Sequence, residues 1–430
     1  MKKNIVIVLL FVVPFLLYSQ IPGKRNTRYG FDIDIKPSIY YTAFLSFPDS
    51  AWHPHLNFVL NMQNDVLQFV KEKEKYTAGY EISVTVLGQE TDSVYHSEIW
   101  RNNIVVEDFS ETNAKWIYQN SSRSFPLPDF ADKLLLDVEV TDLGNMQRYR
   151  NRRPLSTQQI NKEYLRVSPI TFFDPHSDIP SEIILSRGDL ILEFNSDQVV
   201  RFSVSSKNSD TLGVYACLIK ISNKKETKVF EKRNNYALSE GFLAVNDTIS
   251  KSFFDEGTYK LVYEFALGKK TERLEKKFEV IWYNKPTYLY KFDLALRPMR
   301  YILSKEQWEE VDDLSYSKQE EWFKKYWQEK DPSPQTPFNE IAYEFFSRVD
   351  EANEEYSLRF IEGWETDRGK TIILYGQPDR QERKTYLTNS KPYEIWFYDS
   401  LKQKLTFVDI DHDANFKLVT VEDLTKTKNE

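Results

Sequence analysis

The chain has 430 residues and a formal net charge of −8; 15% of its residues are aromatic and only 13 are glycine. This composition is typical of packed globular domains rather than low-complexity sequence, and the length predicts two to four domains. Because acidic residues outnumber basic ones and no basic block occurs, nucleic acid and anionic membrane surfaces are excluded as expected partners.

The first residues, MKKNIVIVLLFVVPFLLYSQ, are typical of a secretory signal peptide. Two lysines precede an apolar run from Ile5 to Leu17 that is too short to span a bilayer, and small and polar residues follow it. We expect a signal peptide over residues 1–19, cleaved after Ser19, with an uncleaved anchor as the alternative. The Lys-Lys start is typical of bacteria, and no later segment is long and apolar enough to cross a membrane. We therefore expect the mature protein in the periplasm or outside the cell.

Residues 29–166 and 167–285 are predicted to form two antiparallel β-sandwich domains of the immunoglobulin-like type. Both segments consist of short strands with turn residues about every ten positions. Period-two alternation is clear in one strand, through Leu134, Leu136, Val138 and Val140. Both segments end in an alternating strand, a Leu-Gly pair, a charged stretch and a second alternating strand, which predicts a final hairpin in each.

The only cysteine, Cys217, lies in GVYACLIK, where alternation predicts a buried strand. A lone thiol forms no internal disulfide, and it has no neighbouring histidine or second cysteine for a redox or metal site. We expect it to pack in the core.

Residues 286–425 are predicted to form an α+β module, with helices over about 304–360 and strands over about 371–420. The patterns Ser304 to Gln307 and Ser317 to Glu320 predict two capping boxes. The expected strands are TIILYG, YEIWFYD, KLTFVDI and FKLVTV, and the last three are joined by short polar turns that predict an antiparallel meander.

The longest helix of this module is bounded by proline and glycine. Three prolines within residues 331–337 break the preceding helix. Pro337 is expected as the first residue of the new helix with Thr336 as its cap, and Gly363 is expected to end it.

The segment from Asp331 to about Val419 resembles the GWxTD family, a set of bacterial exported proteins. The matching pieces are DPSPQTPFNE, the signature GWETDRG, IILYGQPD and YEIWFY. The resemblance implies β-sandwich domains upstream of the module, but it supplies no activity, cofactor or catalytic residue.

The motif has a structural interpretation in which Gly363 closes the helix in the left-handed conformation and Trp364 fills the core. Thr366 and Asp367 are expected to bond backbone N–H groups, and Arg368 to pair with Asp367, Glu365 or Glu340. Asp379 is expected to cap the turn that ends the following strand. The motif residues held as a candidate binding surface are Gly363, Trp364, Thr366, Asp367, Arg368, Gly369, Tyr375, Gly376, Pro378 and Asp379.

The rival hypothesis is an envelope hydrolase that acts on glycan or peptide through Asp367 and Asp379. These carboxylates flank the predicted strand and would lie about 16 Å apart, which is wide even for an inverting glycosidase. No histidine, cysteine or serine elbow lies beside them in the sequence. We therefore predict no catalytic residue, and favour a non-enzymatic binding or assembly protein with a protein partner in the cell envelope.

Two further patterns are candidate metal sites. In DIDHDAN, acidic residues alternate from Asp409 as in a calcium loop, but neither register places glycine at the sixth position, so a solvated hairpin turn is preferred. His53 and His55 have no spaced set of further ligands. No metal or cofactor is expected.

Overall fold

The structure is a computed structural model, and it describes a series of ranges that together span most of the chain. These ranges are 38–46, 53–114, 117–128, 133–155, 165–176, 179–184, 190–206, 211–238, 241–282, 285–384 and 391–425. The predicted signal peptide, residues 1–19, lies outside the described residues. No helix in the described ranges is long and apolar enough to cross a membrane.

The chain divides into two compact units. The first takes its residues from Met1–Phe44, His55–Thr157 and Ile183–Ser186, and the second from Leu45–Pro54, Gln158–Glu182 and Arg187–Glu430. The second unit therefore contains both the later β-rich segment and the C-terminal helices.

The first unit is built from strands in two sheets. In chain order the strands are β1 Ile39–Ser46, β2 His55–Gln63, β3 Val70–Glu72, β4 Lys75–Gly88, β5 Val94–Val106, β6 Tyr118–Pro126, β7 Leu134–Asp142 and β8 Arg148–Leu155. One sheet has the order β1-β2-β6, and the other runs β5-β4-β7-β8 with β3 also paired to β4. Aromatic rings join the two sheets, since Phe58 of β2 lies 5.8 Å from Trp100 of β5. The one-turn helix α1, Phe109–Thr112, follows β5.

The next strands repeat this arrangement. They are β9 Arg166–Val167, β10 Thr171–Phe173, β11 Ile183–Ile184, β12 Leu190–Glu193, β13 Gln198–Ser205, β14 Thr211–Ser222, β15 Lys225–Ala237, β16 Phe242–Ile249, β17 Gly257–Leu267 and β18 Lys270–Ile281. The order β10-β13-β16 repeats β1-β2-β6, and β15-β14-β17-β18 repeats β5-β4-β7-β8. The main departure from antiparallel pairing is β12, which runs parallel to β18.

Several sequence predictions for these segments are confirmed. The hairpins β7–β8 and β17–β18 end the two segments, with antiparallel register throughout. The alternating apolar residues of β7 are buried: Leu134, Leu136, Val138 and Val140. Cys217 is a free thiol, buried on β14.

The C-terminal region combines helices with one sheet. The helices are α2 Phe292–Leu296, α3 Lys305–Asp312, α4 Tyr316–Glu329, α5 Glu340–Tyr356 and α6 Asp367–Tyr375, and the strands are β19 Arg380–Lys384, β20 Tyr393–Tyr398, β21 Gln403–Asp409 and β22 Phe416–Asp423. The sheet order is β19-β20-β21-β22. The predicted meander β20-β21-β22 is confirmed as antiparallel, whereas the fully charged or polar β19 was not predicted.

The predicted strand TIILYG is wrong, because residues 371–375 belong to helix α6. Thr366 caps this helix by accepting a hydrogen bond from the Gly369 N–H. Gly376, at φ +77, ends it. A short aliphatic run fits a buried helix as well as a strand, and here the cap and the terminal glycine select the helix.

Two helix starts also differ from the predictions, while a third is confirmed. The capping box of Ser304 and Gln307 is present at α3. Helix α4 is preceded by Ser315 rather than capped at Ser317. Helix α5 begins at Glu340 and is capped by Asn339 instead of Thr336. The Thr336 hydroxyl donates to the Ser333 and Phe338 carbonyls in the preceding loop.

Within the second unit, aromatic rings join the end of β18 to the loop and helix that follow α4. Trp282 lies 5.4 Å from Phe338 and 5.9 Å from Tyr343, and its ring also contacts Phe194 at 5.3 Å. The β-rich segment and the C-terminal region of this unit therefore share an apolar contact.

Candidate functional site

The two glycines of GWETDRG allow chain segments to approach closely. A Cβ on Gly363 would lie 1.9 Å from the carbonyl oxygen of Ala352 in α5, and a Cβ on Gly369 would lie 1.9 Å from the carbonyl oxygen of Gly363. The prediction that Gly363 closes a helix in the left-handed conformation is wrong, since α5 ends at Tyr356 and Gly363 opens a short 3-10 turn. Both positions exclude a side chain because backbone fills the space.

Trp364 is fully buried, as predicted, and its polar atoms are satisfied. The indole N–H donates to the Glu362 carboxylate at 2.5 Å, and the backbone N–H donates to Asn353 Oδ1 at 3.1 Å. The Arg300 guanidinium lies over the ring, 4.5 Å from its centroid. The Tyr288 hydroxyl donates to the same Glu362 oxygen. Glu362, which the sequence interpretation did not single out, thus ties Trp364 to the segment before α2.

Thr366 and Asp367 both bond backbone N–H groups, as predicted. The Thr366 hydroxyl donates to the Gly363 carbonyl at 2.7 Å and accepts from Gly369 N at 3.0 Å. Asp367 Oδ2 accepts from the N–H of Leu418 in β22 at 2.8 Å, so its partner lies in the sheet rather than in the local turn. Its position in the first turn of α6 also favours a negative charge.

Arg368 points into the core, and its predicted partners are wrong. Its Nη1 donates to Glu394 Oε1 at 3.2 Å and its Nη2 to the Ala414 carbonyl at 3.0 Å. The guanidinium lies between the rings of Tyr356 and Phe416, 4.8 and 4.4 Å from their centroids. Asp367, Glu365 and Glu340 were expected instead, but α6 turns Arg368 away from them and toward the sheet.

Glu394 is the buried counter-charge that the sequence interpretation missed. Besides Arg368, it contacts Arg383 Nε at 3.0 Å, and Arg383 is largely exposed. A signal for it existed, because period-two alternation in YEIWFY places Glu394 on the same face as Trp396 and Tyr398, and all three are buried. A carboxylate on the apolar face of a strand requires a cationic partner.

The end of α6 is fixed by contacts to β20. The Tyr398 hydroxyl donates to the Gly376 carbonyl at 2.9 Å, and burial raises the pKa of Tyr398 above its ordinary value. Tyr375 packs edge-on against the Tyr398 ring at 5.8 Å but stays 44% exposed. The half-buried Pro378 leads to Asp379, whose Oδ2 accepts from the Asp399 N–H at 2.7 Å. Asp379 therefore caps the turn after β20, and not the turn that follows residues 371–375 as predicted.

The acidic stretch from Asp409 forms the predicted hairpin turn between β21 and β22. The buried Asp409 carboxylate accepts backbone N–H bonds from Asp413 at 3.1 Å and Ala414 at 3.2 Å. His55 begins β2, and His53 precedes that strand. Within the described ranges, no group of three histidine, cysteine, aspartate or glutamate side chains is placed to hold a metal ion.

Taken together, the carboxylates of Asp367 and Asp379 and the two terminal nitrogens of Arg368 are bonded within the fold, while Arg368 Nε is buried without a hydrogen-bond partner. Asp367 begins α6, whose nine residues rise about 13 Å, and Asp379 lies beyond the end of the helix, after Gly376, Gln377 and Pro378. Each carboxylate accepts a backbone N–H, and the intervening Arg368 is paired in the core. This arrangement anchors helix α6 to the sheet at both ends.

Comparison with known proteins identifies the C-terminal part of the chain. Residues 262–427 match the family model of the GWxTD domain, which confirms the resemblance drawn from the sequence. The match begins inside β17, upstream of the predicted boundary at residue 286. A search of curated proteins finds no match.

Among solved structures, the crystal structure of red sea bream transglutaminase matches at 9% identity with a TM-score of 0.18. The match covers 56% of this chain and 31% of that one, so the chain spans about a third of the matched structure's length. A likeness of this size carries no argument about fold or activity.

Proposed function

We propose that this GWxTD-domain protein is an exported, non-enzymatic binding or assembly component of the bacterial cell envelope. In this proposal two immunoglobulin-like domains, residues 29–166 and 167–285, act as spacers. The C-terminal module, residues 286–425, supplies the interaction surface for a protein partner.

The observation that carries the proposal is the internal bonding of the motif's charged groups. Arg368 is 7% exposed and is held by Glu394 and the Ala414 carbonyl. Asp367 and Asp379 each accept a backbone N–H at 2.7–2.8 Å. Charged side chains that are bonded to other atoms of the protein support an architectural role. A general base or nucleophile must instead be free to reach its substrate.

The repeated strand order supports the spacer role. Each β-rich segment has a smaller sheet, with the order β1-β2-β6 or β10-β13-β16, and a larger sheet that contains the order seen in β5-β4-β7-β8. In the second segment β9 also joins the smaller sheet. In each segment the chain passes from one sheet to the other and back, which agrees with an immunoglobulin-like sandwich. In the second unit, the contact of Trp282 with Phe338 supports a stiff connection between sandwich and module.

The interaction surface is placed on the exposed members of the candidate set. Trp364 and Arg368 are buried, whereas Tyr375 and Asp379 are exposed next to the C-terminal end of α6. A half-exposed tyrosine beside a carboxylate is suited to contact with a protein surface, because tyrosine combines apolar area with a hydrogen-bonding group.

The test is crosslinking of the chain to its partners in bacterial envelope, followed by recovery of the crosslinked species. Tyr375→Ala should lose partner recovery while the protein stays folded. Tyr316→Ala, which alters another exposed tyrosine in the same module, is the matched control and should recover partners like the wild type. Equal recovery from both folded variants would remove this surface from the proposal.

The hydrolase alternative draws little support from the same geometry. Its two carboxylates, Asp367 and Asp379, lie at opposite ends of α6 and both hold backbone groups. Release of product from envelope glycan or peptide by the purified chain, lost in Asp379→Asn, would favour the enzyme instead.

A further inference from the structure

Two exposed carboxylates lie beside Tyr375, where the chain leaves helix α6 for the sheet. Asp379 follows Tyr375 by four residues, and its side chain accepts the N–H of Asp399 at 2.7 Å. Both aspartates are exposed, and Tyr375 itself is 44% exposed. The end of α6 and the turn after β20 therefore present one aromatic ring and two negative charges to solvent.

Helix α5 brings two more carboxylates to the same place. Glu351 and Glu355 lie one turn apart on this helix, and the side chain of Gln377 donates to them at 2.8 and 3.5 Å. Because Gln377 is two residues beyond Tyr375, this contact brings one face of α5 to the end of α6. We call the ring and the four carboxylates the Tyr375 surface, whose members are Tyr375, Asp379, Asp399, Glu351 and Glu355.

The four carboxylates have no cationic partner in the described part of the chain. Two guanidiniums lie close to this segment, but each pairs with another glutamate. Arg348, beside Gly376, pairs with Glu344 at 2.5 Å, and Arg380 pairs with Glu382. Four negative charges without compensation favour a cation from outside the chain.

The Tyr375 ring also lacks a cation. In the same module, Lys330 lies over the ring of Tyr326 at 4.9 Å and Lys370 lies over that of Tyr301 at 5.3 Å. Over Tyr375, the described ranges place no lysine or arginine. A cation is attracted to the face of an aromatic ring, and neighbouring carboxylates strengthen that attraction. The ring and the carboxylates therefore fit the same kind of ligand.

We propose that the protein partner places an arginine-bearing segment on the Tyr375 surface, with one guanidinium over the ring and others against the carboxylates. This inference rests on the proposed function, because it names the chemistry of the partner at the surface proposed there. Arginine suits the surface better than lysine, since its planar guanidinium stacks on aromatic rings and binds a carboxylate with two hydrogen bonds. A second copy of this chain is a poor occupant, because its net charge is −8.

The first test measures binding of short synthetic peptides to the purified full-length chain by fluorescence anisotropy at low salt. In the three peptides, glycine alternates with arginine, lysine or glutamine. The arginine peptide should bind about threefold more tightly than the lysine peptide and at least about tenfold more tightly than the glutamine peptide. Binding of the arginine peptide no tighter than that of either other peptide would overturn the proposal.

Two variants locate this binding on the Tyr375 surface. Tyr375→Ala should weaken binding of the arginine peptide about two- to fivefold, the effect of one exposed cation–π contact. Glu351→Gln/Glu355→Gln should weaken it about tenfold, because two negative charges are lost while both side chains still accept the Gln377 amide. Thermal unfolding like that of the wild type shows that the fold of each variant is intact.

The matched control removes two charges elsewhere in the module. Glu310→Gln/Glu321→Gln alters exposed glutamates of α3 and α4 that are not part of the Tyr375 surface. It should change the affinity for the arginine peptide less than about twofold. Weakening equal to that of Glu351→Gln/Glu355→Gln would show that the peptide binds to the overall negative charge, and would overturn the proposal.

Crosslinking in bacterial envelope separates this inference from the proposed function. If both are correct, Tyr375→Ala and Glu351→Gln/Glu355→Gln both lose the partner, and the partner segment crosslinked to the wild type contains arginine. If Tyr375→Ala loses the partner but the glutamine variant keeps it, or the segment has no arginine, the proposed function stands and this inference fails. If neither variant loses the partner, the proposed surface and this inference both fail.

Discussion

The second β-rich segment and the GWxTD module both bury carboxylates, but they compensate them differently. In the β-rich segment, buried Asp247 contacts Lys232 at 2.6 Å and the Tyr263 hydroxyl at 3.1 Å, and the Lys232 side chain is 41% exposed. In the module, Glu394 has one buried partner, Arg368, and one largely exposed partner, Arg383. The cation of the β-rich segment stays in water, whereas Arg368 lies in the core with its carboxylate, so loss of one partner should cost more in the module.

Two glycines, one in each region, have different roles. Gly268, in the β17–β18 turn, has φ +59 and no atom within 4 Å of where a Cβ would lie. Gly363 has backbone of α5 at 1.9 Å from that position. Gly268 provides a backbone conformation and Gly363 provides space, so substitutions at the two positions should have different effects.

The largest effect is expected from Gly363→Ala. The added methyl would collide with the Ala352 carbonyl, and the helix and turn must separate, at a cost of about 5 kcal/mol in the free energy of unfolding. The measurement is chemical denaturation of the full chain, with hydrogen exchange to locate the loss.

Gly268→Ala is the control for that substitution. It introduces only left-handed strain, about 1–2 kcal/mol. Comparable losses from both variants would contradict the distinction between space and conformation.

Arg368→Met should follow in size. It leaves Glu394 buried with Arg383 as its remaining cation and the Ala414 carbonyl without its donor, and removal of one partner of a buried pair costs about 3–5 kcal/mol. Thermal unfolding of the module measures it. Arg101→Met, which breaks the exposed pair of Arg101 with Glu81 in the first unit, should cost below about 1 kcal/mol.

The double variant Arg368→Met/Glu394→Leu should recover much of the lost stability, because no buried charge remains. If Arg368→Met unfolds no more easily than Arg101→Met, the buried pair is not what holds α6 to the sheet.

Trp282→Ala should uncouple the unfolding of the second β-rich segment from that of the module. The ring is half-buried against Phe338 and Tyr343, and its loss should cost about 2 kcal/mol. We expect the unfolding transitions of the two parts to diverge when hydrogen exchange is followed in β17 and α5. Trp322→Ala, which removes a ring stacked on Tyr326 in α4, should leave the transitions coincident. If the transitions of β17 and α5 coincide in both variants, contacts other than those of Trp282 join the β-rich segment to the module.

The smallest effect concerns the pH dependence of stability in the first β-rich segment. Hydrogen bonds from Arg150 hold the pKa of Asp137 below its ordinary value. The folded state therefore binds the proton less readily than the unfolded state, so this stability is present above the ordinary aspartate pKa and is lost as pH falls below about 4. When the free energy of unfolding is measured against pH, Asp137→Asn should lose less stability than the wild type as the pH falls below about 4. An equal loss in both proteins would show that other carboxylates govern the acid sensitivity.

The strands of the β-rich segments were predictable because their signal is local. Alternation in β7 placed Leu134, Leu136, Val138 and Val140 on one buried face, and the hairpins β7–β8 and β17–β18 followed from turn residues between alternating strands. The cap of α3 was equally local, since Ser304 and Gln307 bond each other's backbone within one turn.

The motif was recognisable, but its contacts were only partly predictable. Burial of Trp364 and the backbone bond of Thr366 followed from residue type. The run TIILYG predicts a strand but belongs to helix α6, because a short aliphatic run carries no period of its own. Glu394 was overlooked although its alternation with Trp396 marked it as inward-facing.

The sequence by itself determined the β-rich segments, the helical change after residue 286 and the GWxTD signature, because periodicity, turn residues and a rare motif are written in neighbouring positions. Only the tertiary structure decided that Gly363 lies against Ala352, that Arg368 reaches Ala414 46 residues away, and that Asp367 bonds Leu418 51 residues away. These contacts depend on how α5, α6 and the sheet approach one another, which no local pattern encodes. The side-by-side Asp367 and Arg368 are explained by that approach, since one bonds the sheet edge and the other fills the core beneath it.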